Sequence, residues 1–277
     1  MTMIPTTRTI VRLALPALLT LTLSTLATAH EFWLEPLKYR IDVNQTVQAD
    51  IKVGQDFKGN TYAFFPNRFV RFELHHNGRV RPIQSRMGAR PAAEQAVDTD
   101  GLTTLTYEST YTELTYNDPA IFRNFLSLDG LDWVLKAHQD RGLPPSGFTE
   151  VYRRFAKSYV GTGTAEGEDS LIGYPLEWRL EDNPYTMPGQ QALTATLFLN
   201  DTPSAGVLAR VFTKTGSQDA KELRLITNEQ GQIEVPYHPN TAYLLGSVHM
   251  KLPQTDVAEA SGAVWESLWA SAVFFRD

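Results

Sequence analysis

Apolar and polar residues alternate along much of this chain, and a period of two limits the possible folds more than any other property of the sequence. Successive side chains of a β-strand point to opposite faces of the sheet, so alternation indicates a strand with one buried face. The alternating stretches are 47–53, 69–76, 102–107, 193–199, 207–211 and 243–249. Turn-forming residues such as Asn77-Gly78 separate them. The sequence therefore predicts a mainly β protein of the β-sandwich type.

Helical patterns interrupt the strands in the middle of the chain. We expect a short helix over Pro119–Phe125 and a second over Ser127–Arg141, which ends before Gly142 and two prolines. A further helix is predicted from Thr149 to about Gly161, over the run VYRRFAKSYV. Together these helices form a predicted insert at about residues 119–160.

The chain is long enough for two domains, and a candidate link lies near its centre. The stretch Glu181–Gly189 contains two prolines and a glycine, which is typical of a connection between folded units. We expect a first β-sandwich domain over residues 30–185, which contains the helical insert, and a smaller β-sandwich domain over residues 186–277.

Residues 1–29 have the pattern of a secretory signal peptide. Arg8 and Arg12 precede an apolar run from Leu13 to Leu26, and Ala27-Thr28-Ala29 has the small residues of a cleavage site. No later apolar run approaches the roughly 20 residues of a membrane span. We therefore expect cleavage after Ala29 and an exported chain, periplasmic or secreted, without a transmembrane segment.

The composition removes several kinds of chemistry. There is no cysteine in the 277 residues, which excludes disulfides, thiolate nucleophiles and cysteine-ligated metal sites. The net charge of −6, with no basic run, argues against nucleic acid as a partner. Common catalytic motifs such as G-x-S-x-G and H-E-x-x-H are missing, so no catalytic residue is predicted. Metal chemistry would have to use histidine, carboxylates or the amino terminus.

Cleavage after Ala29 would make His30 the first residue. The α-amine and the imidazole of one residue can bind the same metal ion, because the α-amine has a pKa of about 8 and is available near neutral pH. One more imidazole would complete a T-shaped set of three nitrogens, called a histidine brace. Nitrogen sites of this kind suit Cu(II) and Ni(II). A transition-metal ion is therefore the predicted cofactor or cargo.

Several segments resemble the DUF4198 family of exported proteins, which are often described as periplasmic components of nickel or cobalt uptake. The matching segments are HEFWLEP (30–36), GLDWVLKAHQDRG (130–142), VYRRFAKSYV (151–160), PLEW (175–178), SVHM (247–250) and WESLWASAVFF (265–275). The resemblance implies immunoglobulin-like or transthyretin-like domains and a role in handling nickel or cobalt, with a membrane metal transporter as a possible partner. It places the family's terminal histidine at His30 and a second histidine at His249.

Other residues are candidates for completing the site. Glu31 follows the terminal histidine, and Glu266 in the WESLWAS segment is either a metal ligand or a buried acid paired with an arginine or a hydroxyl group. His75 and His76 are neighbours on a predicted strand, so their side chains point to opposite faces and only one of them can join a given site.

Two other functions fit the same residues. A carbohydrate-binding or adhesion module would use aromatic stretches such as Tyr62–Phe65, and His30 would then be incidental. A copper enzyme that cleaves polysaccharides oxidatively would also begin with histidine on a β-sandwich. The function that we expect is an exported metal-binding protein, a carrier or accessory component for nickel, cobalt or copper.

Overall fold

The computed structural model describes residues 30–189 and 191–277, so the predicted signal peptide lies outside the described residues. Within them the chain forms eighteen strands and three α-helices. The first nine strands are β1 (Glu31–Pro36), β2 (Arg40–Ile41), β3 (Thr46–Gln55), β4 (Lys58–Tyr62), β5 (Phe69–His76), β6 (Arg79–Pro82), β7 (Ala93–Ala96), β8 (Gly101–Ser109) and β9 (Thr112–Tyr116). The other nine are β10 (Phe148–Thr162), β11 (Leu176–Leu180), β12 (Leu193–Leu199), β13 (Thr202–Pro203), β14 (Leu208–Thr215), β15 (Lys221–Ile226), β16 (Gln232–Val235), β17 (Thr241–Lys251) and β18 (Ala263–Arg276). The helices are α1 (Pro119–Leu128), α2 (Asp132–Asp140) and α3 (Thr255–Ser261).

The strands form a large central sheet and two small sheets. The central sheet has the order β15-β14-β17-β18-β10-β8-β5-β6, and β2 and β9 also pair with β10. The first small sheet contains β1, β3, β4 and β7, and the second contains β11, β12, β13 and β16. This architecture confirms the predicted mainly β, sandwich-like fold.

Each face of the central sheet packs against a different partner. On β10, Phe155 and Tyr159 belong to the core shared with the second small sheet, whereas Ala156 and Val160 belong to the core shared with the first small sheet. The helices α1 and α2 pack over the same face as the first small sheet, where Phe122 and Val134 meet Trp265 of β18. The central sheet is thus the middle layer of the protein.

The helix predicted from Thr149 to Gly161 is wrong, because these residues form most of the fifteen-residue strand β10. Val151, Phe155 and Tyr159 recur every four residues, and a spacing of four fits both one face of a helix and one face of a strand. β10 is paired in parallel with β18 and is largely buried on both faces. Strands of this kind lose the simple alternation of a half-exposed strand. The helical insert is therefore limited to α1 and α2.

The two other predicted helices are present with shifted bounds. Pro119 opens α1 behind Asp118, whose side chain accepts a hydrogen bond from the Ala120 amide at 2.8 Å. α1 continues to Leu128, and Gly130 then takes a left-handed backbone with φ of +68°. That glycine ends α1 and delays the start of α2 to Asp132.

The central sheet draws strands from both sides of the predicted domain boundary at residues 185 and 186. β8 and β10 precede the boundary, whereas β14, β17 and β18 follow it. The boundary itself stays a prediction. No helix within residues 30–189 and 191–277 is long and apolar enough to cross a membrane.

Candidate functional site

A cleft of about 540 Å³ opens beside His30, on the central-sheet face that packs against the first small sheet. We call it the tyrosine cleft, because its walls include Tyr62, Tyr107, Tyr116 and Tyr152 together with His30 and Trp269. Small-molecule sites in proteins typically have volumes of roughly 300–1,000 Å³. The tyrosine cleft therefore has the size of a ligand site, and it contains the residue that the sequence singles out.

β10 supplies one wall of the tyrosine cleft through every second residue. Glu150, Tyr152 and Arg154 all line it, and they share one face because side chains alternate along a strand. β10 lies between β18, which contributes Trp269, and β8, which contributes Tyr107. The wall is thus part of the central sheet and is held by neighbouring strands on both sides.

Glu150 is a buried acid in this wall, with 1 % of its surface exposed. The Tyr116 hydroxyl donates a hydrogen bond to Glu150 Oε2 at 2.8 Å, and the Ser267 hydroxyl donates to Oε1. Trp269 Nε1 in turn donates to Ser267 Oγ at 2.8 Å. Burial raises the pKa of Glu150 to about 7, since a buried carboxylate loses its hydration. Glu150 can therefore exchange a proton near neutral pH.

Glu31 lies on the other side of β1 from His30 and belongs to a buried charge cluster. Arg210 Nη1 is 2.9 Å from Glu31 Oε1, and Arg210 also pairs with Glu222 at 2.8 Å and with Asp129 at 3.9 Å. Burial raises the pKa of Glu31 to about 7 and that of Asp129 to about 6 despite the nearby guanidinium. The cluster ties the first residue of β1 to β14, which positions His30 beside the tyrosine cleft.

The structure does not bring His249 to His30. His249 lies on β17 directly opposite Leu268 of β18, and Leu268 packs in the core shared with the second small sheet. Residues directly opposite each other on paired strands share a face. The tyrosine cleft is on the other face, so the central sheet separates the two histidines. Burial and the nearby Lys251 ammonium lower the pKa of His249.

The remaining candidates have protein partners away from the tyrosine cleft. His75 Nε2 is 3.2 Å from Glu73 Oε2, whereas the two ring nitrogens of His76 are each 2.9 Å from a hydroxyl, those of Thr103 and Thr99. The two side chains lie on opposite faces of β5, as the strand prediction requires.

Glu266 is fully buried and paired, which matches the structural alternative that the sequence suggests. Lys251 Nζ lies 2.9 Å from Glu266 Oε2, and Arg153 Nη2 lies 3.6 Å from Oε1. The Tyr111 hydroxyl donates to the same Oε1 at 3.3 Å. Glu266 thus neutralises two cations on the face of the central sheet opposite to the tyrosine cleft.

Across the part of the chain that the structure describes, no three His, Cys, Asp or Glu side chains converge as a metal-binding group. That finding concerns side chains, so it does not include an α-amine at His30. A metal site at His30 would depend on the amine, on the imidazole, and on further donors from the tyrosine cleft or from solution.

Most of the tyrosine cleft cannot be predicted from the sequence. The pattern predicts a helix for its wall on β10, and a helix would not place Glu150, Tyr152 and Arg154 on one face. Tyr107 and Trp269 are far apart in the chain and meet only through the order of strands in the central sheet. Two signals in the sequence point to the cleft: the aromatic content of VYRRFAKSYV, which favours a strand, and the aromatic stretch Tyr62–Phe65, whose Tyr62 and Phe65 line the cleft.

Comparisons with known proteins identify a family for this chain but no activity. The model of a family described as a domain of unknown function, DUF4198, matches residues 27–251. No curated protein matches the chain significantly. Among solved structures, Escherichia coli alpha-2-macroglobulin activated by porcine elastase shares 9 % identity over 90 % of this chain, with a TM-score of 0.21. This chain spans 20 % of that much longer one.

The family match covers most of the chain, including the whole tyrosine cleft wall on β10 and the segments HEFWLEP and SVHM. The resemblance inferred from these segments is confirmed. The chain belongs to the DUF4198 family.

Proposed function

We propose that this chain is an exported transition-metal-binding protein whose first metal ligands are the α-amine and the imidazole of His30. The proposal depends on cleavage after Ala29, which creates both nitrogens on one residue. The observation that carries it is the position of His30, which directly precedes β1 and lines a cleft large enough for a ligand. A chelating residue tied to a buried strand is held in place before the metal arrives.

The buried cluster beside His30 supports this role. The pairing of Glu31 with Arg210 fixes the residue that follows His30, so the terminus is not a loose end. Removal of residues 1–29 takes away two arginines and no acidic residue, which leaves the mature chain with two fewer positive charges. A net negative protein attracts cations over longer distances.

His249 is not part of the site that we propose, because the central sheet separates it from the tyrosine cleft. The metal would be held by two nitrogens of His30, and its other positions would be filled by the cleft or by molecules from solution. Copper and nickel favour tetragonal nitrogen sites, and affinity is expected to rise from cobalt to nickel to copper. The family resemblance favours delivery to a membrane metal transporter.

Blocking the amine of His30 is expected to weaken metal binding at least about tenfold, or about 1.4 kcal/mol, because the chelate ring can no longer close. The affinities for Cu(II) and Ni(II) should be measured by calorimetric titration of three proteins. These are the chain that begins at His30, the same chain with its α-amine acetylated, and the His30→Ala variant. Both altered proteins should lose affinity.

His238→Ala is a suitable control, since His238 is an exposed histidine that directly precedes the turn at residues 239 and 240. This variant and His249→Ala should bind as the unaltered chain does. Equal affinities for the unmodified and acetylated termini would contradict the proposal.

A further inference from the structure

The tyrosine cleft has more space and more apolar surface than a metal ion needs. Besides the four tyrosines, Phe32, Phe65 and Trp269 line it, and two of its rings, Tyr62 and Phe65, are about half exposed at the rim. A bound metal ion occupies only a small part of 540 Å³. Aromatic walls of this extent suit a small molecule with a flat apolar body.

Arg154 contributes a cation to this aromatic site, and within residues 30–189 and 191–277 no carboxylate pairs with it. Its guanidinium carbon lies 4.8 Å from the Tyr152 ring centre and 5.5 Å from that of Phe32. Nη2 makes a long hydrogen bond of 3.4 Å to the His30 carbonyl, and the buried Nε has no hydrogen-bond partner among the described residues. Burial lowers the pKa of Arg154, and the ionisable groups that face it are phenols.

The neighbouring Arg153 has the carboxylate partners that Arg154 lacks, although the Nε of each arginine is without a hydrogen-bond partner among the described residues. Arg153 points to the other face of the central sheet, where Glu108 and Glu266 lie 3.5 Å and 3.6 Å away. A partly buried guanidinium without such partners loses hydration without compensation, and a carboxylate that binds it by two parallel hydrogen bonds offsets that cost. Arg154 therefore favours an anionic group in the cleft.

Glu150 marks the other end of the wall. It is four residues from Arg154 on the same face of β10, which corresponds to roughly 13 Å. Its hydrogen bonds from Tyr116 and Ser267 occupy both carboxyl oxygens, and its distance leaves it unable to neutralise Arg154. Tyr152 lies between them on the same face of β10 and also lines the cleft.

We infer that the tyrosine cleft is a binding site for a small organic carboxylate with a flat apolar body, whose carboxylate pairs with Arg154 and whose body lies against the aromatic walls. The exposed Arg68 at the cleft adds a second positive charge for the same anion. A neutral sugar would leave the partly buried guanidinium of Arg154 without a counter-charge. The inferred carboxylate site does not depend on metal binding at His30.

The test uses the chain that begins at His30, with EDTA present so that metal plays no part. 4-Hydroxycinnamate and benzoate are titrated by calorimetry and compared with their primary amides, which keep the shape and lose the charge. The carboxylates should bind, and the amides should bind at least about tenfold more weakly.

Arg154→Gln should reduce carboxylate binding at least about tenfold, whereas Arg123→Gln, at an exposed arginine on α1, should leave it unchanged. Phe65→Ala removes a ring at the rim without disturbing the core, so it should weaken binding even if Arg154→Gln folds poorly. Failure of both carboxylates to bind, equal binding of acids and amides, or preferential binding of cellobiose would overturn the inference. None of these readouts depends on the metal proposal.

Discussion

Replacing Lys157 by methionine is expected to lower the free energy of unfolding by about 3–5 kcal/mol. Lys157 Nζ lies 2.8 Å from Asp169 Oδ1 and 3.0 Å from Glu177 Oε1, and all three side chains are almost completely buried. The Glu177 carboxylate also accepts hydrogen bonds from the backbone amides of Ile172, Gly173 and Tyr174. Methionine fills a similar volume but leaves two buried carboxylates without their cation.

Urea denaturation of the two proteins measures this difference directly. Lys136→Met is the matched control, because Lys136 pairs with Asp140 on the exposed surface of α2, where such a pair contributes less than about 1 kcal/mol. Adding Asp169→Asn to Lys157→Met should recover part of the loss, since it removes one uncompensated charge. A loss as small as that of the control would show that Lys157 does not hold the loop after β10 to the central sheet.

The stability of the protein is expected to fall as the pH rises from about 5 to 8. Burial raises the pKa of Glu150 from 4.5 to about 7, so between these values the folded protein holds a proton that the unfolded chain has released. Stability decreases with pH wherever the folded state binds more protons. Glu31 and Asp129 have pKa values raised by burial and act in the same direction.

Glu150→Gln isolates the contribution of Glu150 to this effect. Glutamine is neutral at every pH. Between about pH 5 and 8, the free energy of unfolding of the variant should therefore fall by about 3 kcal/mol less than that of the unaltered chain. Glu113→Gln, at an exposed acid on β9, is the control and should follow the unaltered chain. Parallel stability profiles for Glu150→Gln and the unaltered chain would contradict the raised pKa of Glu150.

The class of fold is predictable from the sequence because half-exposed strands keep a period of two. β5 alternates as expected, and α1 begins at Pro119 as predicted. The strand at the centre of the molecule cannot be recognised in this way. β10 is buried on both faces, and its apolar residues recur at a spacing that helices share.

Two parts of the candidate site are predictable from the sequence, namely His30 and the aromatic stretch Tyr62–Phe65. His30 follows a cleavage pattern, which is local in the sequence, so the sequence alone suggests its chemistry. The tyrosine cleft combines β1, β8, β10 and β18, whose adjacency depends on strand order and on the parallel pairing of β10 with β18. No local pattern specifies that order, and the same order places His249 on the opposite face.

The intact mass of the exported protein, measured together with its metal content, tests the central claim most directly. We expect a chain of residues 30–277 that carries one equivalent of a transition metal, and we expect the metal to be lost from a His30→Ala variant exported in the same way. A terminus at any residue other than His30, or an unchanged metal content in the variant, would contradict the proposed site.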